Sequence, residues 1–171
     1  MLTVISLGAI VLLVLADQLI KYWAINDLSQ VSSIPVIKDV LHLNYVENYG
    51  AAFGSFSGQK WLLVGLTSVI LLILTSMIVL RKFKSPIAVA AITLIVAGGF
   101  GNLIDRIFRG FVVDYIDFRI INFAVFNFAD SCVVIGTILL MIYVIFNDYA
   151  ARRKINDIKI TDEVAKNSGE K

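Results

Sequence analysis

Four long stretches with almost no charged side chains constrain the fold more than any other feature. Crossing the hydrocarbon core of a membrane takes a helix of about 20 residues. The second and third stretches carry no charge, the fourth carries only Asp130, and the first reaches this length only by continuing past Asp17. We therefore predict four membrane-spanning helices, at about residues 2–23, 61–80, 86–104 and 124–146.

Charged residues make up only 16% of the 171 residues, against roughly 25% in an ordinary soluble domain. An all-α integral membrane protein is the fold class that this composition favours, with residues 1–147 as one four-span domain and 148–171 as a charged tail. The net charge of +2 does not suggest a nucleic-acid partner. The single cysteine and single histidine exclude an intrachain disulfide and a multi-histidine metal site.

The basic residues predict how the chain is oriented. No Lys or Arg precedes Lys21, so the first stretch lacks the positive region of a cleaved signal peptide and is read as a retained helix. Four spans place both termini on one side, together with the basic clusters at 81–84 and 152–154. The positive-inside rule makes that side cytoplasmic, so the segments 24–60 and 105–123 are expected to face outward.

The outward segments contain runs typical of short strands, which could form a small sheet at the membrane surface. These β-branched and aromatic runs lie at residues 36–46, 111–118 and 120–126. Residues 48–56, rich in Gly and Ala, are compatible with a short interfacial helix or a flexible flap. The last 25 residues mix basic and acidic side chains and are predicted to be a solvated, partly disordered tail.

Polar side chains from separate segments converge on the outer end of this topology. They are Asp17, Asn102, Asp105, Arg106, Asp114, Asp117, Asn127 and Asp130. Ionisable groups within spans are costly and usually have a partner or a function. One interpretation is that Arg106 neutralises Asp105 or Asp17 and that the asparagines cap helices. That interpretation explains Asp114 and Asp130 less well, and we expect some of the carboxylates to lack a cation of their own.

Two neighbouring carboxylates cannot both ionise easily, so one retains a proton and the pair contains one acid and one base. Such a pair can activate water and protonate a carbonyl oxygen, which is general acid–base hydrolysis. Competing nucleophiles are poor: Cys132 is expected to be a buried structural thiol and His42 a surface or interface residue. An ion-coupled transporter or channel subunit, or a purely structural membrane protein, is the alternative class.

Five sequence blocks make the chain resemble one known family. In order they are DQLIK at 17–21, NYGAAFG at 48–54, GGFGNLIDR at 98–106, VVDYIDF at 112–118 and FNFAD at 126–130. Together they resemble the lipoprotein signal peptidases (signal peptidase II), aspartic membrane proteases that process bacterial prolipoproteins. The departures are small: Tyr115 stands where the family usually has Phe, and Cys132 and Val133 follow the last Asp in place of the usual residues.

The resemblance implies that Asp114 and Asp130 are the catalytic dyad. It also implies supporting or substrate-binding roles for Asp17, Asn48, Gly50, Asn102, Asp105, Arg106 and Asn127. The implied fold has four transmembrane helices, a small extracytoplasmic β-cradle and a short interfacial flap helix. The implied substrates are lipid-modified prolipoproteins in the membrane lipid of a bacterial cell, with sensitivity to globomycin. No metal or cofactor is implied, and nothing in the sequence demands more than a monomer.

Overall fold

Four long helices dominate the computed structural model, which describes residues 1–51, 55–121 and 123–168. They are α1 (Leu2–Asn26), α2 (Lys60–Val79), α3 (Pro86–Phe108) and α4 (Phe128–Ser168). Each contains a segment long and apolar enough to cross a membrane. The prediction of four spans is therefore confirmed, and we treat the chain as a multi-pass membrane protein.

Helix α3 is the centre of the bundle. It contains 12 buried residues, whereas α2 contains two. Its glycines allow the neighbouring helices to approach closely. A β-carbon on Gly98 would collide with the Ala129 carbonyl of α4, and one on Gly99 would lie 2.5 Å from Leu71 of α2. These two glycines therefore serve helix packing.

Three antiparallel strands form a small sheet in the order β1 (Ile34–Ile37), β2 (Leu41–Asn48) and β3 (Val112–Phe118). This confirms the predicted sheet, but its strand boundaries differ from those expected. The run 36–46 is not one strand, because a turn containing Asp39 in the left-handed region (φ 60°) divides it between β1 and β2.

The described residues of the predicted strand at 120–126, which exclude residue 122, form no strand of the sheet. Arg119–Ile121 form a 3-10 turn, and Phe126 makes only an isolated bridge to Ile116 of β3. The Phe126 ring stacks on that of Phe118 at 6.0 Å, so the aromatic residues of this run pack against β3 without extending the sheet. Because the chain up to Phe126 follows β3, α4 begins at Phe128, four residues after the predicted start of span four.

Helix α4 continues to Ser168, through the segment for which the sequence predicts a partly disordered tail. Ala, Lys, Arg and Glu in that segment are good helix formers, which allows the helix to extend beyond its apolar part. The predicted flap at 48–56 falls partly on residues 52–54, which lie outside the described residues. On either side of this gap, Asn48 ends β2 and residues 55–58 form a turn.

Candidate active site

One end of the bundle collects the polar side chains, where α1 and α3 end, α4 begins and the sheet lies alongside. Hydrogen bonds and ion pairs join all nine predicted site residues into one connected network. Those residues are Asp17, Asn48, Gly50, Asn102, Asp105, Arg106, Asp114, Asn127 and Asp130. The convergence predicted from topology is therefore present in the structure.

The first turn of α4 is closed by two of these residues. The Asn127 side-chain oxygen accepts from the backbone N–H of Asp130 at 2.9 Å, and the Asp130 carboxylate accepts from the backbone N–H of Asn127 at 3.2 Å. This reciprocal arrangement is a capping box, which satisfies N–H groups that the helix itself leaves unpaired. It fixes Asp130 at a helix N-terminus, where the helix dipole favours a negative charge.

Asp17 links the end of α1 to the same helix start. Its Oδ1 accepts from the backbone N–H of Ala129 at 3.1 Å, although 112 positions separate the two residues. The approach requires a glycine at position 101, because a β-carbon there would lie 2.5 Å from Asp17 Oδ2. Gly101 is therefore needed for the geometry of the site, whereas Gly98 and Gly99 serve packing.

Lys21 is the cation at the centre of the network, and it is fully buried. Its Nζ lies 3.0 Å from Asp17 and 2.9 Å from Asp105, and it donates to Asn102 Oδ1 at 2.8 Å. The interpretation that Arg106 neutralises Asp105 or Asp17 is therefore wrong. Lys21 can reach both because it lies one helical turn after Asp17 and faces α3.

Asp105 receives further donors. Arg109, which directly follows the end of α3, forms an ion pair with it, and the Gln18 amide donates to it at 3.2 Å. The backbone N–H of Val113 donates to its other oxygen at 3.1 Å and so attaches β3 to the bundle. Arg109 also donates to the Gln18 side-chain oxygen at 3.0 Å.

The dyad implied by the resemblance has a different environment. Asp114 accepts from the side-chain amides of Asn127 at 2.6 Å and Asn48 at 2.9 Å, while Asp130 accepts from that of Asn102 at 2.7 Å. Among the described residues, neither carboxylate has a cation within ion-pair distance. The expectation that some carboxylates lack a cation of their own is confirmed.

The surroundings of Asp114 favour its protonated form. Only 2% of the residue is exposed, and burial raises its pKa to about 6, with a further contribution from the negative charge of Asp130. The two amide hydrogen bonds and the more distant Lys21 oppose this shift but do not cancel it. A carboxyl whose pKa lies closer to neutral pH than the ordinary value of 3.8 can act as a general acid.

Arg106 holds the chain that follows β2. Its guanidinium donates to the Gly50 carbonyl at 2.9 Å, and the Gly50 N–H donates to the Asn48 side-chain oxygen at 2.9 Å. Because the other side of the Asn48 amide donates to Asp114, this chain of contacts ties residues 48–50 to the dyad. Arg106 also lies close enough to both dyad carboxylates to interact with their charge.

A cavity of about 880 Å³ opens over the two carboxylates. Its walls combine the end of β2, the segment 123–126 and the first turns of α4, and they are largely apolar. Glu47 lines the rim and accepts hydroxyl hydrogen bonds from Tyr49 at 2.6 Å and Tyr45 at 3.1 Å. The arrangement can bind an extended apolar chain with an amide group next to a carboxyl pair.

Asp117, the rival carboxylate in β3, lies on the opposite face of the strand as the alternation requires. It accepts from Asn44 at 2.5 Å and from Arg119 at 2.9 Å, which are not contacts of the dyad. Cys132 is buried, as predicted. His42, which was expected to be a surface or interface residue, is buried and therefore does not lie on the surface. Its Nδ1 lies 2.9 Å from the hydroxyl of Ser33, the residue before β1.

Lys21, Gln18 and Arg109 are the residues that sequence reasoning did not single out as part of the site. The available signal was spacing: Lys21 follows Asp17 by four residues in one apolar helix, and Arg109 follows Asp105 by four. Such pairs lie on one helix face. A lysine within an apolar helix, four residues after an aspartate, could have been read as its partner.

Comparison with known proteins gives matches over most of the chain. A family model described as signal peptidase (SPase) II, Peptidase_A8, matches residues 9–146. The lipoprotein signal peptidase of Clostridioides difficile is 47% identical over 146 residues, which is 84% of this chain and 96% of that protein. The lipoprotein signal peptidase of Halothermothrix orenii is 46% identical over 137 residues, covering 78% of this chain and 90% of that protein.

A solved structure described as a bacterial membrane enzyme, determined by the in meso method at 2.3 Å resolution, has a similar fold. It matches with a TM-score of 0.77 and 34% sequence identity, covering 84% of this chain and 88% of that one. A second structure of the same description, at 1.9 Å resolution, matches with a TM-score of 0.73 and 35% identity over 81% of this chain and 91% of that one.

Proposed function

Because the chain belongs to the signal peptidase II family, we propose that it is a membrane-embedded aspartic endopeptidase for lipid-modified bacterial prolipoproteins. It removes the signal peptide by cleaving the peptide bond just before the diacylglyceryl-modified cysteine. The observation that carries this proposal is the pair Asp114 and Asp130, which line one apolar cavity and have no cation of their own among the described residues.

The environments of the two carboxylates assign their roles. Asp130 sits at the N-terminus of α4, accepts a backbone N–H and faces the same cavity as Asp114, so we assign it the role of the base. Burial and the charge of Asp130 raise the pKa of Asp114 to about 6, so we assign it the role of the proton donor. One acid and one base facing the same space form a general acid–base pair.

Hydrolysis then needs no covalent intermediate. Asp130 takes a proton from a water molecule as the water oxygen attacks the scissile carbonyl carbon, and Asp114 donates its proton to the carbonyl oxygen. The resulting tetrahedral diol collapses when its C–N bond breaks. The departing nitrogen takes the proton held by Asp130, and Asp114 recovers a proton from a diol hydroxyl. Atoms and charges balance, and the pair returns to its starting protonation state.

The cavity suits a substrate that combines a lipid with an extended peptide. Val133 and Val134 on α4 supply apolar wall beside the dyad, and Glu47 and Tyr49 supply the polar rim. The hydrogen bond from Arg106 to Gly50 would hold residues 48–50 over the bound peptide. Asn102 and Asn127 would hold the two dyad carboxylates in position. Asp17 and Asp105 act further away, through Lys21.

The same assignment implies an orientation. The dyad lies near the extracytoplasmic face of the bacterial cytoplasmic membrane, where the lipidated cysteine of a prolipoprotein is held. The basic segment 81–84 and both termini are then cytoplasmic, in accordance with the positive-inside rule. Residues 1–147 act as the peptidase domain and residues 148–171 as a charged cytoplasmic tail, and the protein works as a monomer.

Reconstitution of the purified protein with a synthetic lipidated precursor tests the proposal. We expect one cut, with the lipidated cysteine as the new N-terminus, no cleavage of the unlipidated peptide, inhibition by globomycin and no loss of activity with a chelator. Ion flux across the reconstituted membrane without cleavage would instead identify a transporter. Cleavage at another bond would contradict the assigned specificity.

A further inference from the structure

A second cavity, of about 390 Å³, lies at the opposite end of the bundle from the dyad. The start of α1, the end of α2 and the start of α3 enclose it, with Thr3, Ile78 and Val89 among its lining residues. The two basic residues Arg81 and Lys84, in the connection between α2 and α3, also line it. We refer to it as the basic pocket.

The charge of the basic pocket is uncompensated within the described residues. No Asp or Glu lines it, and neither Arg81 nor Lys84 forms an ion pair with a described residue. Both side chains are exposed, so each can move towards a ligand. An anion in this position would find two positive charges and no competing carboxylate.

The backbone at Arg81 is held in an unfavourable conformation. Its φ of 53° lies in the left-handed region, which costs a residue with a β-carbon free energy. Hydrogen bonds from the N–H groups of Arg81 to the Ile78 carbonyl (3.1 Å) and of Lys82 to the Met77 carbonyl (3.0 Å) maintain it. They end α2 sharply and keep the basic connection folded against the helix ends.

The remaining walls are apolar. Ile78 is 4% exposed and Val89 is 9% exposed, and the half-buried Phe83 adjoins them. A water-soluble anion would leave these walls without a partner, whereas an amphiphile would cover them with acyl chains. The pocket lies where membrane-spanning helices end, which is the depth of lipid headgroups.

We propose that the basic pocket binds an anionic glycerophospholipid, with its headgroup phosphate between Arg81 and Lys84 and its upper acyl chains on the apolar walls. Basic pockets between helix ends are suited to anionic headgroups. The bound lipid would fasten the start of α1 to the connection between α2 and α3. This inference does not depend on the proposed peptidase activity, because the two sites lie at opposite ends of the bundle.

The test compares lipid binding by full-length protein in a neutral detergent, measured by native mass spectrometry. We expect phosphatidylglycerol to bind at least tenfold more tightly than phosphatidylcholine, and glycerol phosphate alone not to compete. Equal binding of the two lipids would overturn the proposal. Full competition by glycerol phosphate would also overturn it and would indicate a site for small anions. All of these measurements use the unsubstituted protein.

Charge variants then locate the site. Arg81→Gln and Lys84→Gln should each weaken phosphatidylglycerol binding about fivefold, and Arg81→Lys should retain most of it. The matched control is Lys82→Gln, which removes the same charge from the same connection but does not line the pocket. We expect less than a twofold effect there. An equal loss in the control would show general surface attraction and would contradict a defined site.

Discussion

Two groups of charged residues lie side by side at one end of the bundle, and they are built in opposite ways. Asp17, Lys21, Asp105 and Arg109, the ion-pair cluster, contain as many cations as carboxylates, and each carboxylate touches at least one cation. Asp114 and Asp130, the dyad, are held by amide and backbone N–H groups alone. The cluster uses charge to join α1 to α3, and the proposed function requires that the dyad remain free for proton transfer.

Asn102 connects the two groups. Its side-chain oxygen accepts from Lys21, and its side-chain nitrogen donates to Asp130. An ammonium can only donate and an ionised carboxylate can only accept, so these two partners permit just one orientation of the amide. The ion-pair cluster, in which cations and carboxylates are equal in number, thereby orients the side-chain N–H of Asn102 towards Asp130. The dyad receives a hydrogen-bond donor that carries no full positive charge.

Substituting the dyad should give the largest effect. We expect Asp114→Asn and Asp130→Asn each to lower kcat for cleavage of a lipidated precursor by at least about 10⁴-fold, because the acid or the base is lost. Neither change breaks an ion pair, so the thermal unfolding temperature should stay close to that of the unchanged protein. The matched control is Asp117→Asn in the same strand, which should retain activity. Near-normal cleavage by either dyad variant would show that the assignment is incorrect.

Removing Lys21, the shared cation of the ion-pair cluster, should have its main effect on stability. Lys21→Met leaves Asp17 and Asp105 buried in their present positions without their shared cation, which should lower the free energy of unfolding by about 3–5 kcal/mol. Thermal unfolding in detergent measures the loss, and Lys60→Met is the control lysine. Adding Asp17→Asn and Asp105→Asn to Lys21→Met should recover much of the stability. If the triple variant is no more stable than the single one, buried charge is not the cause.

Substituting Asn102, which connects the two groups, should show whether it positions Asp130. Asn102→Ala should lower kcat by about a hundredfold while KM changes little, because Asp130 loses the donor that orients it. Single-turnover and steady-state kinetics distinguish the two parameters. Asn44→Ala, which removes an amide from the opposite face of the sheet, should leave kcat unchanged. A rise in KM with an unaltered kcat would place Asn102 in substrate binding instead.

The smallest expected effect is the contribution of Asp114 to the pH dependence of the free energy of unfolding. The folded pKa of Asp114, about 6, lies above the ordinary value of 3.8, so the folded protein binds more protons than the unfolded chain. Its contribution to stability is therefore full below about pH 4 and is lost as the pH rises through 6. Between pH 7 and pH 5 this carboxyl should add about 1.4 kcal/mol. The unchanged protein should gain that amount relative to Asp114→Asn, and parallel stability curves for the two would contradict it.

The parts of the fold that could be predicted from sequence are those set by local composition. Uncharged runs reveal the four helices, and the place where charged residues interrupt them reveals the polar end. The cation that pairs with Asp17 and Asp105 is harder to predict, because Lys21 on α1 and Arg106 on α3 carry the same charge and the sequence does not show which of them faces the carboxylates. Strand boundaries failed where a single residue, Asp39, adopts a left-handed conformation that the surrounding β-branched pattern does not indicate.

The start of α4 was misplaced for a related reason. Residues up to Phe126 are as apolar as a membrane span, but their partner is β3. The pattern of apolar residues does not distinguish burial against a strand from burial in lipid. The pairing of Asn127 and Asp130 was the more reliable signal, since an asparagine three residues before an acidic side chain is a common helix start.

The hydrogen bond from Ala129 to Asp17 has a consequence for biogenesis. The site needs the end of the first helix and the beginning of the last one, so a nascent chain cannot assemble it until nearly the whole peptidase domain has been synthesised and inserted. A chain truncated before residue 124 should accordingly show no cleavage in membranes, even though three helices are present. The order of synthesis thus delays assembly of the candidate site until the start of α4 has been made.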